Sequence, residues 1–193
     1  MQAPDKQLII DQTKKWIADV VIACNFCPFA AREVKRGSIL YEVLPDATPE
    51  AALKAVATMF AHLDENAEIE TALIILPGSH ESFDDYLNLV QLADDLLIKE
   101  AYEGIYQLAS FHPKYVFAGS SETDASNFTN RSPYPMLHFL REESVSKAVD
   151  AHPDIDAVPM HNIEFAQNKG LTHMQQLLDA CMLPPFAATG TSA

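Results

Sequence analysis

Three short apolar runs, each closed by a proline, alternate with two amphipathic stretches. That order constrains the fold of this 193-residue chain more than any other feature. The runs are residues 38–44 (SILYEVL), 71–76 (TALIIL) and 105–111 (IYQLASF), followed by Pro45, Pro77 and Pro113. Proline cannot donate to a strand ladder, so pairing stops at each of these points. After the first run, Thr48 is a helix N-cap and Pro49 fits the first helical position. Leu53, Val56, Phe60 and Leu63 then recur at helical spacing. After the second run, Ser82 or Ser79 caps a helix whose face is Phe83, Tyr86, Leu87, Val90, Ala93 and Leu97. Strand–helix–strand–helix–strand predicts right-handed crossovers. The expected fold is one α/β domain over residues 1–183, with three or more strands, mostly parallel, packed by helices.

The flanking segments complete this reading. Residues 5–23 form an amphipathic helix, and residues 28–36 a short one ended by Gly37. Residues 135–149 read as a helix through Met136, Phe139, Leu140 and Val145, broken at His152-Pro153. Residues 155–159 are extended, as a fourth strand or a loop. Two helices follow, divided at residues 168–170, and residues 184–193 (PPFAATGTSA) read as a flexible tail.

Charge limits the partners. The chain carries −14, and residues 46–103, with thirteen acids against two bases, hold −11 of it. A uniformly acidic surface disfavours nucleic acid and anionic membranes. Residues 24–45 and 104–141 are each +1, so an anionic small molecule would find its cations there. No apolar run approaches the roughly 20 residues of a membrane span. The N-terminal residues show no basic-then-apolar leader pattern, so a cytoplasmic location with reduced cysteines is expected. The oligomeric state and any cofactor are left open.

Three constellations carry chemistry. In Cys24-Asn25-Phe26-Cys27-Pro28, a helix starting at Pro28 makes Cys27 its N-cap. The helix dipole, with Arg32, Lys35 or Arg36, would then favour thiolate. The pair reads as a redox dithiol, a nucleophile with Cys24 resolving, half a metal site, or simply two buried thiols. In Ser110-Phe111-His112-Pro113, a histidine leaves the end of a strand, where ligands sit in open α/β sheets. It reads as a general acid or base, or as a histidine bonded to backbone. The same edge receives Asp46, Ser79 and His80. In the third constellation, Asn130, Arg131 and Ser132 lead into His138 and Arg141, which share a helix face. These residues would hold a carboxylate or phosphate, or form a proline-fixed turn with a surface arginine. His62, His152, His161 and His173 read as surface or packing residues, and Asp124 as a loop acid that could orient a histidine.

The stretches NFCPFA (25–30), QLASFHPKYVFAG (107–119) and TNRSPYPMLHFLREE (129–143) together resemble a bacterial family labelled only as a domain of unknown function. The resemblance implies that the three constellations belong together. It implies no activity, cofactor or residue role.

The functional expectation is a small enzyme acting on an anionic small molecule. Cys27, with Cys24, supplies the thiol, and His112 is the acid or base. Asn130, Arg131, Ser132, His138 and Arg141 hold the substrate. One alternative is a zinc or iron site of Cys24, Cys27 and His112, with His80 as a possible fourth ligand. Another is a non-catalytic ligand- or partner-binding module.

Overall fold

The computed structural model describes residues 5–151 and 154–183. The predicted break at His152-Pro153 and the tail at 184–193 lie outside the described residues. Helix α1 (Lys6–Trp16) starts at Asp5, whose carboxylate accepts from the Gln7 amide, and continues as a π-helical stretch over Ile17–Ile22. Asn25, at φ 57°, then turns the chain, a conformation asparagine tolerates better than most residues. Helix α2 (Ala30–Arg36) ends at Gly37, which is left-handed at φ 67°. Strand β1 (Ile39–Val43) and helix α3 (Pro49–Glu65) follow, with Thr48 capping as its sequence predicts. Then come β2 (Thr71–Ile75), α4 (Phe83–Lys99, capped by Ser82) and β3 (Tyr106–Phe111).

The fourth strand is the main departure from expectation. Residues 135–149 are not one helix: β4 (Met136–Arg141) precedes α5 (Glu142–Ala151). Met136, Phe139 and Leu140 match helical spacing, but an alternating strand with both faces buried produces the same apolar positions. The sheet order is β1-β2-β4-β3, with β4 antiparallel to both neighbours. Among the described residues, only β1 and β2 form a parallel pair. The expectation of a mostly parallel sheet is therefore corrected. β1, β2 and β3 still point the same way, since β2 and β3 both oppose β4. Residues 155–159 are not a strand. They form a 3-10 turn (Ile155–Ala157) entering α6 (Val158–Lys169), and α7 (Leu171–Met182) follows Gly170.

Helices cover both faces, and β2 shows why its run is apolar throughout. Ala72, Ile74 and Leu76 join Phe60, Leu63, Tyr86, Leu89 and Phe139 beneath α3 and α4. Leu73 and Ile75 join Trp16, Val20, Phe128, Met174 and Leu178 on the other face. Each fully buried large side chain contributes roughly 1.5–3 kcal/mol. On that second face, the register aligns Thr71, Leu140 and Gln107, then Leu73, His138 and Ala109. Threonine, glutamine, histidine and alanine are poor fillers at the centre of an apolar face, and a cavity opens there.

Candidate functional site

The cavity has a volume of about 340 Å³ and lies between the second sheet face, the π-helical stretch, α2 and α5. Trp16, Ile17, Val21, Leu73 and Phe111 make much of its wall. The π-helical turn delivers Ile17 and Val21 to it. Cys27 and His138 both line it. The Cys27 loop is held by Phe26, which is buried against Phe165, and by Asn162, which donates to the Phe26 carbonyl at 2.8 Å. Helix α2 begins at Ala30, three residues past Cys27, with Phe29 in the cap position. Cys27 is thus not an N-cap, and the dipole argument for its thiolate fails.

His138 stands at the centre of the face. Its Nε2 lies 2.6 Å from Thr71 Oγ1, which is also 2.6 Å from the Phe139 carbonyl oxygen. Desolvation pushes its pKa down to about 4, so the ring is neutral at pH 7. Glu33, Glu70, Thr71 and Gln107 also line the cavity, and the sequence reading passed over them. One signal was available: Thr71 opens an otherwise apolar strand. Glu33 is buried between Ser38 (2.7 Å) and the flanking Arg32 and Arg36. Its pKa is lowered because the hydrogen bonds and cations outweigh desolvation, the largest single influence and an opposing one.

The other expected residues lie elsewhere. Cys24 is buried in the core, and desolvation pushes its thiol pKa up. It does not line the cavity with Cys27. His112 is sealed from solvent. Its Nε2 donates to the His80 carbonyl at 2.9 Å, and its Nδ1 accepts from the Lys114 amide at 3.0 Å. Both ring nitrogens are therefore committed to backbone, which favours the structural reading of this histidine.

The arginines are committed too. Arg131 donates to the carbonyls of Tyr115 (3.1 Å) and Glu122 (2.7 Å), and lies 4.7 Å over the Phe128 ring. Asn127 bonds Phe117, Ser120 and Ser121, and Asn130 donates to the Ser110 carbonyl. Ser132 donates to the Tyr134 carbonyl, and Asp124 caps the 3-10 turn Ala125–Thr129. The long polar loop is thus closed by its own side chains. Arg141 does reach the cavity wall, yet its guanidinium donates to the carbonyls of Leu63, Asn66 and Ile69 and to the Tyr106 hydroxyl. Arg141→Met is expected to lower stability by about 2 kcal/mol through these orphaned carbonyls, as read by urea denaturation. An unchanged midpoint would return Arg141 to anion binding.

Asp46, Ser79 and His80 do meet at the shared strand edge, in a separate cleft of about 660 Å³. That cleft is an open groove bearing the exposed carboxylates of Asp46, Glu81 and Asp85. The strand edge of Asp46, Ser79 and His80 and the cavity of Cys27 are therefore separate places. Among the described residues, no three His, Cys, Asp or Glu side chains converge to hold a metal ion. Nor is any described helix long and apolar enough to cross a membrane.

Residues 8–176 match the family described as protein of unknown function, DUF1415. The chain belongs to that family. The DUF1415 match takes in all four strands, Cys27, His112 and His138, and ends within α7. No curated protein and no solved structure matches the chain.

Proposed function

We propose that the protein is a small enzyme using the Cys27 thiol on a largely apolar small molecule held in the sheet-face cavity. The observation that carries this reading is that Cys27 and His138 line the same cavity. His138, neutral and in the cavity, takes the proton-accepting role that sequence gave to His112. The Cys27 sulfur bonds to an electrophilic carbon such as an acyl carbonyl, and its proton passes to His138. The leaving group departs with the electron pair of the bond it breaks. An anionic substrate loses support, because Arg131 and Arg141 are spent on carbonyls. Three unpaired thiols support a reducing, cytoplasmic compartment. The acidic surface supports the absence of a nucleic-acid partner.

p-Nitrophenyl butyrate tests the thiol. Butyryl transfer to Cys27 is expected, with equimolar p-nitrophenolate release, while Cys24 and Cys181 stay unmodified in peptide mass spectra. His138→Gln is expected to slow the transfer roughly 100-fold. Butyrylation elsewhere, or none, would sink the nucleophile. A binding module without chemistry is the second reading, favoured by the mostly apolar wall. It expects ligand protection of Cys27 but no acyl transfer.

A further inference from the structure

We propose that the sheet-face cavity selects an uncharged ligand that donates a hydrogen bond from an apolar body, such as an alcohol or amide. Carboxylates are rejected, and Thr71 sets the preference through the tautomer of His138. This rests on the cavity reading above and adds to it the class of ligand and a specificity-determining pair.

The number of protons available at Thr71 fixes the tautomer of His138. The Thr71 hydroxyl has a single proton and two partners, Phe139 O and His138 Nε2, both at 2.6 Å. A carbonyl oxygen can only accept, so the Thr71 proton goes to Phe139. The contact to His138 is then a hydrogen bond only if Nε2 carries the proton and Thr71 Oγ1 accepts it. A neutral imidazole protonated at Nε2 has a bare lone pair at Nδ1. That Nδ1 makes no hydrogen bond among the described residues and is not sealed from solvent. The free polar atom at the centre of the face is therefore an acceptor, which a ligand N–H or O–H satisfies. An anionic oxygen in the same place would set lone pair against lone pair.

The rest of the wall reinforces this. Arg141 turns its guanidinium to backbone carbonyls. Arg32 is paired with Glu33. Among the described residues, Glu70 Oε1 is buried on this wall without a hydrogen-bond partner. Burying an unpaired carboxylate is costly, whereas a hydroxyl with one good acceptor is not. The volume of about 340 Å³ accommodates a ring of cyclohexyl size.

Trp16, the only tryptophan in the chain, lines the cavity and reports occupancy by its emission. Titration with cyclohexanemethanol, methylcyclohexane and cyclohexanecarboxylate at pH 7.5 compares one body with three heads. The alcohol is expected to bind at least about tenfold tighter than the carboxylate, and tighter than the hydrocarbon. Thr71→Val should shrink the alcohol-to-carboxylate ratio, and Thr71→Ser should restore it. A carboxylate that binds as tightly as the alcohol overturns the ligand class but leaves the cavity reading standing. So does a hydrocarbon that matches the alcohol. No response to any of the three overturns both. Should the variants not fold, 15N NMR of His138 in the unaltered protein decides the tautomer. A proton on Nδ1 rather than Nε2 overturns the proposal.

Discussion

Replacing His112 with alanine is expected to cost about 4 kcal/mol of folding stability. The ring is sealed from solvent and packs 4.9 Å from Tyr86 and 5.3 Å from Phe83. Its removal leaves a cavity, an unpaired Lys114 amide and an unpaired His80 carbonyl. The His80 carbonyl is aimed by a left-handed backbone, φ 52°, which this hydrogen bond helps to hold. Urea denaturation measures the loss, and His112→Gln, which keeps a donor and an acceptor, should recover part of it. A catalytic His112 predicts the opposite pattern: activity gone and the denaturation midpoint unmoved.

Acidification is expected to unfold the protein through its histidines. His138 has a folded pKa of about 4 against 6.5 for a free histidine, and the His112 pKa is also lowered, chiefly by burial. Below pH 6.5 the unfolded chain therefore binds protons that the folded chain refuses. Stability is full above pH 6.5 and falls as pH drops toward 4. His138 accounts for roughly 2–3 kcal/mol of that fall, somewhat below the full shift because the cavity admits water. Denaturation midpoints at pH 7.5, 5.5 and 4.5 measure it, and His138→Gln should flatten the slope. A His138→Gln slope equal to the original would refute the neutral, desolvated ring.

Much of the fold was legible because its signals are local. The runs at 38–44, 71–76 and 105–111 became β1, β2 and β3 with boundaries shifted by a residue or so. Thr48 and Ser82 cap the helices they introduce. The strand after the long loop was not legible. Met136, Phe139 and Leu140 fit a helix and a doubly buried strand equally well, and only the open edges of β2 and β3 distinguish them. Of the residues singled out in the sequence, Cys27, His138 and Arg141 line the cavity. Cys27 and His138 were named, but with Cys24, His112 and Arg131, which pack elsewhere. Residue type and spacing cannot say whether a histidine or arginine will find a backbone carbonyl first. Glu70 and Gln107 gave no sign of facing a cavity, because other residues of its wall come from segments distant in sequence, such as Val21 in the π-helical turn and His138 in β4.

By itself, the sequence determined an acidic α/β chain with three co-directed strands, their capping helices and the prolines that end them. Periodicity, caps and φ restraints act within a few residues, so they survive without tertiary contacts. The tertiary structure decided that β4 enters antiparallel between β2 and β3, bringing His138 onto Thr71. It also decided that Cys27 shares a cavity with His138 rather than with His112. Those outcomes depend on which buried polar groups satisfy one another across the sheet, and desolvation enforces that choice only once the faces have closed.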